Sequence, residues 1–124
     1  MEEGAINTII ARRVMGWTLK AKDPVPFPGG EMFCAHWWFN AAGQQVHRDV
    51  AWDPWRNLDD AFEVFAKLPP SWRNVSQLPD GKWTVKKFGS VWEWPDCQGA
   101  LIEPTDTLPA AICLAALKLV GVTA

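Results

Sequence analysis

The chain has 124 residues, of which 48% are hydrophobic and 21% charged, with a formal net charge of -2. That length holds one domain, residues 1–124, and the apolar content is that of a globular protein rather than a disordered one. The slight acidity excludes a broad electrostatic footprint for bulk nucleic acid or for an anionic membrane.

Ile6, Ile9, Ile10, Val14 and Trp17 recur at spacings of three and four, which predicts a first helix over Ala5 to Trp17 with these residues on its buried stripe. Lys20 to Gly30 carries three prolines and two glycines and is expected to be a loop. Glu31 to Phe39 reads as a strand with no solvated face, because Phe33, Ala35, Trp37 and Phe39 alternate with Met32, Cys34, His36 and Trp38. A turn at Asn40 to Gly43 leads to a second strand over Gln44 to Trp52, pairing back on the first.

Asn57 is placed to cap a second helix, with Asp59 and Asp60 in its first turn, where carboxylates meet the positive helix end. Leu58, Ala61, Phe62, Phe65 and Leu68 form its expected buried stripe, and Pro69-Pro70 stops it. Trp72 to Phe88 reads as a hairpin around Pro79-Asp80-Gly81, where glycine supplies a positive φ. Val91 to Trp94 and Gly99 to Glu103 are two further extended pieces. Thr107 caps a closing helix from Leu108 to Val120, apolar all round apart from Lys118 and ended by Gly121. Strands grouped in hairpins between helices give an α+β class with a mainly antiparallel sheet and three helices.

Three of these segments carry a resemblance. Ile6-Asn7-Thr8-Ile9-Ile10-Ala11-Arg12-Arg13-Val14-Met15-Gly16-Trp17 ends in V-M-G-W; Asn57-Leu58-Asp59-Asp60-Ala61-Phe62-Glu63-Val64 contains A-x-E-V. Thr107-Leu108-Pro109-Ala110-Ala111-Ile112-Cys113-Leu114-Ala115-Ala116-Leu117-Lys118 reads T-x-P-x-A-I-C-x-A-A-L. In this order they resemble the phage ABA sandwich domain, a family of small phage and prophage proteins. The resemblance implies a three-layer αβα sandwich and a phage origin, and supplies no catalytic motif.

The cysteines are Cys34, Cys97 and Cys113; an odd number without a C-x-x-C fits buried thiols in a reducing compartment. The acidic start, Met1-Glu2-Glu3, is unlike a signal peptide, and the most apolar stretch, Leu108 to Val122, falls short of the ~20 residues that span a bilayer. A protein of the host cytoplasm, with no membrane partner, is expected.

Cys34 and His36 share a strand face, with His47 across the hairpin and Cys97 further off. Zinc wants four ligands, usually with a second close pair, so no metal and no cofactor is expected. G-x-S-x-G, P-loop and dinucleotide signatures are absent, which favours a binding protein over an enzyme.

Nine Trp stand beside no Tyr. Trp37, Trp38, Trp52, Trp55 and Arg56 fall on one hairpin and its exit, with His47 and Arg48 between them. An indole face stacks a base and Arg adds phosphate contacts, so Trp38, His47, Arg48, Trp52, Trp55 and Arg56 are the candidate ligand-binding residues. The same set could serve as core packing, or as an interface to a homo-oligomer or a host protein. The leading expectation is a non-enzymatic phage accessory protein that sequesters a host nucleotide second messenger. A module blocking a host protein comes second and a nucleotide-cleaving enzyme third. Lys82, Lys86 and Lys87 beside Trp83 are read as a solvated strand edge.

Overall fold

The structure is a computed structural model, described over residues 2–21, 25–26, 32–33, 36–86 and 101–122. Helix α1 spans Glu3–Ile9 and continues as a wider π-type turn over Ile10–Val14. In that turn the Met15 N–H donates to the Ile10 carbonyl, five residues back, at 3.0 Å. The sequence predicts one uniform helix here; the widening lets the neighbours Ile10 and Ala11 both enter the core with Ile6. Gly16, at φ 72°, turns the chain out of the helix, and the Trp17 N–H reaches back to the Ala11 carbonyl at 2.9 Å.

That reversal starts strand β1, Thr18–Ala21, where the sequence suggests that a loop begins at Lys20. The prolines of that stretch lie beyond the strand, so nothing in β1 lacks an N–H, and four residues are too few for alternation to stand out. The short strands β2, Val25–Pro26, and β3, Met32–Phe33, pair antiparallel with each other. Strand β4, His36–Phe39, lies between β1 and β5, Gln45–Arg48, all antiparallel. The expected single strand over Glu31 to Phe39 is therefore two described strands in separate sheets; Cys34 and Ala35 lie outside the described residues. Strand β5 stops at Arg48, short of Trp52, because the N–H groups of Ala51 and Trp52 both turn back to the Arg48 carbonyl.

Helix α2 spans Leu58–Phe65, with the Asn57 side chain accepting from the Asp60 N–H. It buries Ala61 and Val64, with Leu68 just beyond, but not the whole expected stripe: Leu58 is 42% and Phe62 46% exposed. Its partner is an alanine-rich helix, which favours a narrow contact centred on Ala61 and Val64 and leaves the stripe's flank outside. Arg73 satisfies the carbonyls of Ala66 and Leu68 at its end.

Strands β6, Asn74–Gln77, and β7, Trp83–Lys86, form the predicted hairpin, closed by the Leu78 N–H donating to the Lys82 carbonyl at 2.7 Å. Thr84 and Val85 are both buried, so β7 is covered on both faces rather than solvated on one. The closing helix packs on β7, and the segment 101–105 pairs along its edge: Leu101 donates to Val85, Thr84 donates to Ile102, and Trp83 and Thr105 exchange hydrogen bonds at 2.7 and 2.8 Å. Leu101 to Glu103 therefore lies along β7 without being a strand; the other expected extended piece, Val91 to Trp94, is outside the described residues.

Helix α3, Leu108–Leu119, is capped by Thr107 and packs against α1, its π-type turn, α2 and β7. Seven of its twelve residues, Ala110 to Cys113 and Ala115 to Leu117, are buried. Gly121, at φ 74°, ends it, with the Val122 N–H donating to Leu117 and the Gly121 N–H to Lys118. Three α-helices and antiparallel pairing, with α3 at the centre of the packing, make an α+β sandwich; the described strands form three small sheets rather than one. No helix among the described residues is long and apolar enough to cross a membrane.

Candidate functional site

The segment from Asp53 to Asn57 organises the molecule's concave surfaces. Asn7 of α1 donates to Asp53 Oδ1 at 2.9 Å and accepts from the Trp55 N–H at 3.3 Å. The Asp53 N–H donates to Asp60 Oδ2 at 2.9 Å, and the Asp53 carbonyl accepts from Asn57 at 2.8 Å. Pro54 is fully buried. Pinned at each of these points, the segment fixes the backbone that carries Trp55, so a ligand meeting it does not have to order that stretch of chain.

Strand register separates the predicted residues. Leu19, Trp38 and His47 are cross-strand neighbours and share one face; Lys20, Trp37 and Arg48 share the other. Trp38 is 3% and Trp52 2% exposed, and both belong to the core. Trp52 packs edge-on against Trp17 at 4.8 Å, and the His47 ring lies 5.6 Å from Trp17. Arg12 stands over the Trp38 ring at 5.8 Å. Arg56 pairs with Glu3 at the start of α1. Trp38, His47 and Trp52 are thus brought together, while Arg48, Trp55 and Arg56 stand apart from them.

Trp38 and Trp52 form the back of a cleft of about 320 Å³ whose other walls include Asn7, Leu19, Asp49 and Asp53. Among the described residues two carboxylates and no cation line it, which disfavours a phosphate. The indole N–H of Trp52 is buried without a hydrogen-bond partner among the described residues.

Trp55 lines a different cavity, of about 430 Å³, with Lys82, Thr105, Asp106, Thr107 and Leu114. Here the ring is half-buried, a lysine ammonium is at hand, and the wall from Pro104 to Thr107 is held by the Trp83–Thr105 pair at the start of α3. Lys82 is the residue that sequence reasoning assigned to a solvated edge; its proximity to Trp55 is set by tertiary packing, which no local pattern encodes.

His47 has a partner that the sequence did not suggest. Its Nε2 lies 2.8 Å from Glu63 Oε1 and 3.1 Å from Oε2, with Asp60 beside them. Of the other residues weighed from sequence as metal ligands, His36 is exposed on β4, and Cys34 and Cys97 lie outside the described residues. Cys113 is fully buried in α3, and burial pushes its thiol far above the ordinary value, with the Asp53 carboxylate adding to the rise. A thiol so buried and so reluctant to ionise serves the packing of α3.

A family model described as the phage ABA sandwich domain matches residues 8–117. No curated protein and no solved structure matches the chain.

Proposed function

The chain belongs to the phage ABA sandwich domain family, and we propose that it is a non-enzymatic accessory protein that binds a host nucleotide signal and withholds it from antiviral defence. The observation that carries this reading is the cavity of about 430 Å³ that Trp55 and Lys82 both line, where, among the described residues, the Lys82 cation stands against the single carboxylate of Asp106. A base needs a flat, reachable π-face, worth about 1–3 kcal/mol per stacked base, and a phosphate needs a cation. Trp38 and Trp52 are too deeply buried to stack on anything from solution, which moves the ligand from the cleft they line to Trp55. Sequestration requires affinity and no turnover, so it needs none of the catalytic signatures that the sequence lacks. The setting is the host cytoplasm.

Titration calorimetry against cyclic dinucleotides, cyclic trinucleotides and ADP-ribose derivatives tests this. Binding of at least one ligand is expected, weakened about 5- to 150-fold by Trp55→Ala, as the stacking energy dictates. Lys82→Ala should weaken it as well, and more at low salt than at high. Ligand recovered intact after heat release distinguishes sequestration from cleavage. A flat isotherm for the folded wild type across the panel sinks the reading.

A second reading, a surface that blocks a host protein or joins two copies of the chain, is favoured by one specific feature. Leu58 and Phe62 stand one turn apart on α2 and are both a little under half exposed, an apolar strip of the kind that partners cover.

A further inference from the structure

We propose that His47, Asp60 and Glu63 form a binding site for a first-row divalent cation such as Zn²⁺ or Mn²⁺. Asp60 and Glu63 are three residues apart on α2 and so share one face of the helix. His47 comes from β5, and one ligand atom from each of the three lies within 4.8 Å of the others. Bond lengths near 2.0–2.2 Å place the ligands of a tetrahedral ion about 3.4 Å apart, so the cluster needs only rotamer adjustment to close on a cation. An imidazole nitrogen with two carboxylate oxygens suits zinc or manganese and disfavours magnesium and calcium, which take oxygen alone.

Two features argue for a cation rather than a finished ion pair. The two carboxylates carry two negative charges, against one at most on His47, and among the described residues neither pairs with Lys or Arg. All three side chains are half-buried, where leftover charge is less well screened than at an open surface. Asp60 has already committed Oδ2 to the Asp53 N–H, and its other oxygen makes no hydrogen bond among the described residues.

Coordination of the ion by His47 Nε2 puts the ring proton on Nδ1 and replaces the Nε2–Glu63 hydrogen bond with two bonds to the metal. Three protein ligands leave a position for water, the pattern of an open rather than a closed site. Glu63 also lines a cavity of about 530 Å³ with Trp17, Val46 and Lys67, so the ion has a route in. Sequence reasoning set His47 against Cys34 and His36 and missed the two acids, because helix capping already explained Asp60.

Titration calorimetry of the wild type with Zn²⁺ and with Mn²⁺ tests the site, beside the optical spectrum of the Co²⁺-loaded protein. One ion per chain is expected, with an upward shift in melting temperature and no response to Mg²⁺. Glu63→Gln and Asp60→Asn should each weaken binding by at least about tenfold. Asn at 60 keeps an oxygen for the Asp53 N–H, and an unchanged circular dichroism spectrum checks the fold. A Cys34→Ser/Cys97→Ser variant should bind as the wild type does. Absence of binding, or binding that survives both carboxylate changes and vanishes with the cysteines, overturns the proposal.

Discussion

Trp52 shows how one residue can serve the core at a cost. Its ring is 2% exposed, meets Trp17 edge-on, and carries an N–H without a partner among the described residues. Deleting the ring should destabilise by about 3–5 kcal/mol in urea unfolding, since the cavity adds to the lost transfer energy. Trp52→Phe should cost less than half of that, because it discards the orphaned donor together with the lost area. An equal cost for the two variants would mean that the N–H is satisfied in solution, for instance by water. Cys113 gives the matching statement about charge. Its folded thiol titrates far above the ordinary 9.0, so the folded chain holds its proton where the unfolded chain has released it. Stability is unaffected below that range and falls as pH rises through it, by at most about 1.4 kcal/mol per pH unit. In a Cys34→Ser/Cys97→Ser background, Cys113→Ala should flatten the alkaline fall in unfolding free energy. A native protein whose Cys113 reacts readily with a thiol reagent would contradict the burial.

At the scale of elements, caps and terminators were legible and packing was not. Asn57, Thr107 and Gly121 act as their chemistry dictates, because each needs only neighbours in sequence, whereas α2 already ends at Phe65, short of Pro69. Asn57→Ala should therefore cost about 0.5–2 kcal/mol, read from the urea midpoint, by orphaning the Asp60 N–H. The upper end is expected, since Asp60 also anchors Asp53, and the segment carrying Trp55 loosens with it. A loss no larger than a surface change makes would separate the cap from that network. What sequence reasoning lost follows from its reach. Strand β1 is created by the reversal at Gly16 and by pairing with β4, and the buried Thr84 hydroxyl finds its acceptor, the Ile102 carbonyl, in a segment that lies far along the chain. The candidate site split for the same reason: alternation places Trp38 and His47 on one face and Arg48 on the other, but only tertiary structure brings Lys82 to Trp55 and Glu63 to His47.

For the whole molecule, the question is what covers α2. Ala61 and Val64 face the core, while Leu58 and Phe62, four residues apart, look away from it, with Phe65 packing edge-on against Phe62 at 6.2 Å. Full burial of a large apolar residue stabilises by about 1.5–3 kcal/mol, and Leu58 and Phe62, at 42% and 46% exposed, would each recover somewhat under half of that if two such strips met across a two-fold axis. On the reading that this face joins two copies, sedimentation of the wild type should give a dimer at high micromolar concentration, and the melting temperature should rise with concentration. Phe62→Glu would place two carboxylates against each other at the axis, giving a monomer whose melting temperature no longer depends on concentration. Nucleotide binding should survive that change, since Phe62 lines neither the Trp55 cavity nor the cleft behind Asn7. A wild type that stays monomeric throughout would sink self-association and leave the strip to a foreign partner. Loss of ligand binding in the monomeric variant would instead mean that a second copy completes the Trp55 cavity.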